Sequence, residues 1–503
     1  MLEKIDLTKK MDKDEYQKRV SQLGQRLGEL QRLCRQLDIP VMIVFEGYDA
    51  SGKGVQIGRM IQNLDPRGFR VYAVKNETEE ERMHPFLWRF WDKMPANGNI
   101  SIFDSSWYQK VLAERFEKKS DEHTVENAFR SILSFERQIT DGGMVLIKLF
   151  LDIDKKEQKQ RFEKLEKSKE TAWRVTKEDW KRNRAFEQYE ALNEEMLQKT
   201  DTDYAPWNIV EAVDKRFAEV KILSIVNKAL ETAAKRVQKE RIQEEKHQKA
   251  EDGLWKELEV STLSKTDLSL TCPRETYKKK LKKLQKKIAL LHNELYRRRI
   301  PVVIGFEGWD AGGKGGAIRR LTAKMDPRGF VVNPVCAPND IEKVHHYLWR
   351  FWKTMPKAGH IAIYDRTWYG RVMVERIEGF CTEQEWKRAY REINDMEKDL
   401  ADAGAIVLKF WMHIDKEEQA RRFRERQENP EKQWKITEED WRNREKWDAY
   451  EKAVNEMLIR TSTPYAPWIV VEGNDKRFAR IKVLETVADA IEKRIAKEKN
   501  KES

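Results

Sequence analysis

The sequence predicts an α/β protein built from two tandem copies of one domain, each a doubly wound parallel sheet with helices on its faces. Three observations carry that reading. The first is a repeat: Gly47 in F-E-G-Y-D-A-S-G-K-G and Gly308 in F-E-G-W-D-A-G-G-K-G stand 261 residues apart (308 − 47). The same interval relates Asp65-Pro66-Arg67-Gly68 to Asp326-Pro327-Arg328-Gly329, Leu87-Trp88-Arg89-Phe90-Trp91 to Leu348-Trp349-Arg350-Phe351-Trp352, Tyr204-Ala205-Pro206-Trp207 to Tyr465-Ala466-Pro467-Trp468, and Asp214-Lys215-Arg216-Phe217 to Asp475-Lys476-Arg477-Phe478. A period that long exceeds any solenoid unit, so it marks duplication of a whole domain. The second is a short unbroken apolar run, Val41–Phe45 and again Val302–Phe306, followed by a glycine loop and a helical stretch, as a buried parallel strand requires. The third is a stripe at helical spacing ahead of each run: Leu23, Leu27, Leu30 and Cys34, then Leu284, Ile288, Leu291 and Leu295. Further strands are expected at Val71–Val74, Ile100–Phe103 and Val145–Leu149 and at their partners one period on.

At 503 residues the chain is longer than one hydrophobic core supports. The expected organisation is a domain over 1–235, a polar helical linker over 236–262 and a second domain over 263–503. The run from 235 to 253 is nearly all polar, which suits a solvated helix or a flexible connector. Against 86 acidic residues stand 98 basic ones, and the formal charge of +12 favours anionic partners without choosing among nucleotides, polyanions and nucleic acid. Runs such as Lys278-Lys279-Lys280 and Arg297-Arg298-Arg299 read first as solvated helix faces. Cys34, Cys272, Cys336 and Cys381 show no C-x-x-C spacing, so buried reduced thiols are expected rather than disulfides or a zinc site. The start M-L-E-K-I-D-L-T-K-K lacks an apolar signal region, and no stretch approaches 18 apolar residues, so the reading is cytoplasmic with no membrane partner.

The glycine loop carries the chemistry. G-x-x-x-x-G-K lets successive backbone N–H groups converge on one phosphate, the glycines permitting the close approach, while the following helix adds its positive end. Gly308, Gly312, Gly313 and Gly315 are therefore candidate phosphate-binding positions, and Lys314, like Lys53, is placed to neutralise the transferring phosphate. The usual P-loop carries Ser or Thr after the lysine as a magnesium ligand, whereas this chain has Gly54 and Gly315. The loop aspartates Asp49 and Asp310, with Asp104 and Asp365 at the end of an apolar strand, are the candidate replacements for holding Mg2+. The plain alternative for a loop aspartate is a turn-forming side chain.

The two copies differ just after that strand. The second reads Asp365-Arg366-Thr367-Trp368-Tyr369 with Glu375-Arg376 beyond, and a guanidinium there suits a transition state rich in phosphoryl oxygens. The first reads Asp104-Ser105-Ser106-Trp107-Tyr108, so Ser105 stands where Arg366 does. Catalysis is accordingly expected in the second copy. Arg421, Arg422, Arg424, Lys432, Lys435, Arg442 and Arg444 fall in a helical segment interrupted by Asn429-Pro430, which suggests a helical hairpin lid closing over phosphates. The competing reading of these residues is a solvated helix face. Trp349, Trp352, Trp434 and Trp441 read as core or lid packing rather than base stacking, and His345-His346 as packing rather than a metal pair.

Taken together, G-W-D-A-G-G-K-G, M-D-P-R-G-F, L-W-R-F-W, Y-D-R-T-W-Y-G-R-V-M-V-E-R, T-S-T-P-Y-A-P-W and N-D-K-R-F-A-R-I resemble the polyphosphate kinase 2 family, and the tandem arrangement resembles its two-domain subgroup. The resemblance implies a P-loop kinase fold with a helical lid, dependence on Mg2+, and transfer of a terminal phosphate from inorganic polyphosphate to AMP, giving ADP. It places functional residues at Asp310, Lys314, Asp365, Arg366 and Glu375, with Arg376, Arg421, Lys435 and Arg444 as further phosphate contacts. In the first copy Asp49, Lys53, Asp104 and Glu114 match and Ser105 does not, so that copy is expected to be impaired, or to support the other or hold polyphosphate. Nucleic acid is not an expected partner, and a homo-oligomer stays open. Two other readings are carried: an ATP-dependent P-loop nucleotide or metabolite kinase, whose loop features overlap, and a non-enzymatic polyanion or nucleic-acid binder, suggested by the basic pI.

Overall fold

The computed structural model describes residues 1–244, 261–431, 433, 436 and 438–502. Of the expected linker, 245–260 lie outside the described residues, and so do Lys432, Trp434 and Lys435. The described residues gather into two compact units. The first is built on β1 (Val41–Gly47), β2 (Phe69–Ala73), β3 (Ile100–Asp104), β4 (Val145–Asp152) and β5 (Trp207–Glu211). The second is built on β6 (Val302–Gly308), β7 (Phe330–Pro334), β8 (Ile361–Asp365), β9 (Ile406–His413) and β10 (Trp468–Glu472). Both sheets are parallel throughout, in the orders β2-β3-β1-β4-β5 and β7-β8-β6-β9-β10. The α/β parallel-sheet expectation is thus met twice.

The central strands are buried on both faces, which is why they read as continuous apolar runs: Val302, Val303, Ile304 and Phe306 have no exposed surface. The helical stripe ahead of each loop falls where the spacing put it, on the helices Lys13–Gln36 and Arg274–Arg298, with Leu27, Leu30, Cys34, Ile288 and Leu295 all buried. The outermost strands β5 and β10 are not among the expected strands. Each follows a proline; β5 reads W-N-I-V-E, with Asn208 breaking the apolar run, whereas β10 reads W-I-V-V-E and does carry a short apolar run that the expected set left out. Among the cysteines, Cys34 and Cys272 are buried as expected, whereas Cys336 is exposed and Cys381 half-buried, since each sits in a loop beyond a strand or helix end.

One buried charge anchors each unit. Lys409, in the middle of β9, has 1% of its side chain exposed, and its ammonium donates to the Tyr369 hydroxyl at 2.8 Å, to Glu397 at 2.7 Å and to the Thr461 carbonyl at 2.6 Å. Glu397, on the helix Glu383–Asp402, also accepts from the Trp368 indole at 3.1 Å and from Tyr369 at 2.7 Å. The first unit repeats this with Lys148, Glu136, Trp107, Tyr108 and the Thr200 carbonyl. Burial pushes the Glu397 carboxyl up and the Lys409 ammonium down, and their mutual attraction opposes both shifts. Removing one partner leaves an uncompensated charge in the core. Lys409→Met is therefore expected to lower the unfolding free energy of the second unit by roughly 3–5 kcal/mol, read by denaturant titration; a loss below about 1 kcal/mol would show that the network does not hold the unit together.

Candidate phosphate-transfer site

The site forms where the topology reverses. β6 and β8 are neighbours, yet the chain leaves β6 for β7 at one edge of the sheet and leaves β8 for β9 on the other side of β6. The crevice beyond the carboxyl ends of two such strands is where open parallel sheets bind ligands. Phe306 stands opposite Asp365 in the ladder, so the glycine loop and the turn carrying Arg366 emerge side by side.

Backbone crowding fixes the loop. Gly308 has φ +145°, and a Cβ there would lie 2.5 Å from the Met412 carbonyl oxygen; Gly313, with φ +109°, caps the helix Lys314–Thr322 in a left-handed conformation. The Lys314 ammonium donates back to the Gly308 carbonyl at 2.7 Å, which holds it over the loop. Behind the loop, Arg422 is buried and donates to the carbonyls of Ala311 at 2.9 Å, Gly473 at 2.6 Å and Asn474 at 3.1 Å. Arg161 does the same in the first unit, with the Ala50, Ser51, Ala212 and Val213 carbonyls. Arg422 is thus a buttress of the phosphate loop rather than a lid residue reaching for substrate.

Arg366 has φ +69°, a strained value for a side chain of that size, and its N–H donates to the Phe306 carbonyl at 3.0 Å. Its side chain is 53% exposed and meets Asp310 at 3.3 Å. Asp310 also accepts from the Asn443 amide at 3.2 Å, while its carbonyl accepts from Gln419 at 3.1 Å. Asp310, Lys314 and Arg366 line one open pocket together with Glu307, Asn443 and an apolar wall that includes Met373, Trp411 and Trp447. Asp365 ends β8 immediately before Arg366.

Sequence reasoning missed two residues here. Glu307 is buried and accepts from the Thr367 N–H at 2.6 Å and hydroxyl at 2.8 Å, tying the end of β6 to the turn that presents Arg366. Burial raises its pKa, with Lys314 and Thr367 acting the other way. Its first-unit counterpart Glu46 is pushed up to about 7, again by burial. The F-E-G repeat was the available signal. Asn443 is the other, and no periodicity marks it.

Other expected residues lie apart from the pocket. Glu375 pairs with Arg371 at 3.1 Å at the start of the helix Val374–Glu378, and burial raises its pKa; Glu114 pairs with Lys110 at 2.8 Å. Arg376 donates to Glu456 at 2.6 Å and to the Tyr390 hydroxyl, and stacks on Trp386 with 3.8 Å to the ring centre. Arg421 is held by Glu418 and Glu425. Arg444 donates to the Lys416 carbonyl at 2.6 Å and to Gln419, joining the helices Lys416–Glu428 and Glu438–Glu445 of the hairpin. Arg376, Arg421 and Arg444 thus rest on acceptors within the unit, and none of them lines the pocket that holds Lys314 and Arg366. Arg442 is exposed.

The residues of the second unit fit a hard divalent ion. Among the described residues no group of three or more His, Cys, Asp or Glu is arranged as a metal cage. Magnesium needs none, since it binds through one or two carboxylates and completes its octahedron with water and phosphate oxygens. The space where the usual P-loop hydroxyl would project is open: a Cβ on Gly315 would meet no atom within 4 Å, and one on Gly54 would lie 3.6 Å from an Asp104 carboxylate oxygen. In the first unit a carboxylate thus stands beside the position of the missing hydroxyl, whereas in the second that space is open next to a pocket lined by Asp310.

Residues 10–238 and 271–500 each match the family model described as Polyphosphate kinase 2. The chain belongs to that family. It is 41% identical over 99% of its length to the whole of a polyphosphate:AMP phosphotransferase of Pseudomonas aeruginosa, and 37% identical end to end to one of Pseudomonas syringae pv. tomato. A crystal structure of a candidate polyphosphate kinase 2 from Pseudomonas aeruginosa PA01 superposes with a TM-score of 0.86 at 40% identity, covering 99% of this chain and 100% of that one. No helix among the described residues is long and apolar enough to cross a membrane.

The wall of this pocket rests on a buried histidine. Trp309 stacks on Trp447 at 3.7 Å between ring centres, and its indole N–H donates to His413 Nδ1 at 3.1 Å, which requires a neutral imidazole. Burial lowers the His413 pKa from 6.5 to about 4. A depressed folded pKa means that the unfolded chain binds more protons between those values, so stability present above pH 6.5 is lost as pH falls toward 4. The loss is about 3 kcal/mol over that window. Thermal unfolding of the second unit is expected to become steeply pH-dependent there, and His413→Asn to flatten the dependence.

Proposed function

We propose that the chain transfers the terminal phosphoryl group of inorganic polyphosphate to AMP, giving ADP, and that it does so in the second domain, 263–503, with Mg2+. The reaction class follows from family membership and from full-length similarity to polyphosphate:AMP phosphotransferases. The observation that supports the second domain is the convergence of Lys314, Asp310 and Arg366 on one pocket, where the first domain, 1–235, has Ser105 in place of the arginine. Polyphosphate as partner accounts for a chain with a net charge of +12 better than nucleic acid does. A cytoplasmic location fits both substrates.

In this reading the loop N–H groups and Lys314 hold the phosphate chain from one side. Arg366 approaches from the other and gains its strongest hydrogen bonds as charge builds on the transferring oxygens. Asp310 and Asp365 hold the metal, which when bound neutralises phosphate charge and orients the reacting groups. Glu307 keeps Arg366 at its post through Thr367. One P–O bond forms to an AMP phosphate oxygen as another breaks, and the shortened polyphosphate leaves as an anion. The apolar wall keeps water from intercepting the phosphoryl group.

The test is AMP phosphorylation by polyphosphate in the presence of magnesium. Lys314→Ala is expected to abolish turnover and Lys53→Ala to retain it; the reverse result would move catalysis to the first domain. Arg366→Ser, which copies the first domain, is expected to cost on the order of 10³-fold in kcat. Turnover of AMP with ATP but not with polyphosphate would overturn the donor assignment.

A further inference from the structure

Both loop aspartates meet a guanidinium, but the two arginines come from opposite sides of the site. In the second unit the arginine is Arg366, on the strand-end turn, and the position facing Asp310 from the hairpin is the neutral Asn443. In the first unit the turn offers Ser105, and the hairpin position is Arg182, whose Nε donates to Asp49 at 2.6 Å. The equivalence of the two hairpin positions is structural as well as numerical. The next residues, Asn183 and Arg444, make the same bonds, to the Lys155 carbonyl and Gln158 in one case and to the Lys416 carbonyl and Gln419 in the other. Gln158 and Gln419 in turn donate to the Asp49 and Asp310 carbonyls, each at 3.1 Å.

The two arginines are held very differently. Arg366 is half-exposed, so a bound anion can draw its tip away from Asp310. Arg182 is only 13% exposed and is flanked by Asp49, by Asp179 and, at 3.8 Å, by Glu117. Burial alone would weaken its charge, but the Asp49 carboxylate and its neighbours hold it fully protonated. A dication brought to Asp49 would face a fixed like charge that cannot swing aside. It would also compete with a 2.6 Å charged hydrogen bond, where at Asp310 it meets a neutral amide and a half-exposed guanidinium at 3.3 Å. The residues of the first unit therefore do not fit a divalent ion, although Asp49, Asp104 and Lys53 are all present.

We propose that Arg182 is a resident cation that closes the loop carboxylate of the first unit to divalent metal, so that two exchanges, Arg182 for Asn443 and Ser105 for Arg366, confine metal-dependent transfer to the second unit. This rests on reading Asp310 and Asp365 as the metal-binding carboxylates.

Metal-directed cleavage of the full chain tests it without relying on turnover. Fe2+ replaces Mg2+ in the presence of tripolyphosphate, ascorbate and peroxide are added, and the fragments are mapped by mass. Wild type is expected to be cut near Asp310 and Asp365 and not near Asp49 and Asp104. R182N, which copies the second unit, is expected to raise cleavage near Asp49 and Asp104 by roughly tenfold or more through removal of the like charge, and R182K to leave it at the wild-type level. Cuts near Asp49 in wild type as strong as those near Asp310 overturn the proposal. So does R182N that keeps its circular dichroism and melting temperature and gains no cut. If R182N fails to fold, the wild-type and R182K patterns decide. Cleavage near Asp310 and Asp365 reports on the proposed function and cleavage near Asp49 and Asp104 on Arg182, so the two readings fail separately.

Discussion

The buried ammonium of Lys409 is the constraint on which the rest of the second unit depends. A charge in the middle of a sheet is tolerated only when every donor is used, and here the three partners come from three different segments: the turn after β8, the helix Glu383–Asp402 and the end of the helix Trp447–Thr461. Satisfying one side chain therefore fixes three elements on β9. The Trp368-Tyr369 pair, clamped by Glu397, in turn fixes the far end of the turn in which Arg366 takes its left-handed conformation. The first unit keeps the same network with Lys148 and Glu136 at full burial. What differs between the units is mounted on a frame that is the same in both.

The phosphate loop shows a second form of the same economy. Its shape rests on carbonyls bonded by charged groups from outside it: Lys314 from the following helix and Arg422 from the hairpin. Arg422 also reaches the Gly473 and Asn474 carbonyls beyond β10, so loop, hairpin and edge strand are held by one guanidinium. Arg422 faces inward as a structural member, whereas its neighbour Arg421 is half-exposed.

That distinction explains what could be read from the sequence and what could not. The repeat, the parallel sheet, the loop and the Arg366/Ser105 difference are local patterns, and each is legible in a window of ten residues. Arg421 and Arg422 are adjacent and identical in type, yet one is half-exposed against its own helix and the other buried against three remote carbonyls. No window separates them. Lys148 and Lys409 were more open to detection, because a lone lysine inside V-L-I-K-L-F or I-V-L-K-F-W cannot stay unpaired in a core. β5 was hidden because Asn208 interrupts its apolar run, while β10, W-I-V-V-E, was legible in its own window; Arg376 was hidden because its partner Glu456 lies 80 residues away.

The contrast between the units turns on mobility of charge more than on its amount. Each loop aspartate has one arginine, so the loops differ little in net charge, and no count of residues would tell an active site from a closed one. A guanidinium can stabilise a transferring phosphate only if leaving its resting partner costs little, and a carboxylate can take a metal only if its resting partner yields. Arg366 and Asn443 satisfy both conditions, one by exposure and the other by neutrality. Arg182 satisfies neither, since moving it would strand Asp49, Asp179 and Glu117 around an uncompensated site. On the proposed reading, a duplicated domain keeps its fold, its loop and its lysine, and loses its metal chemistry through the relocation of a single positive charge from the turn to the hairpin.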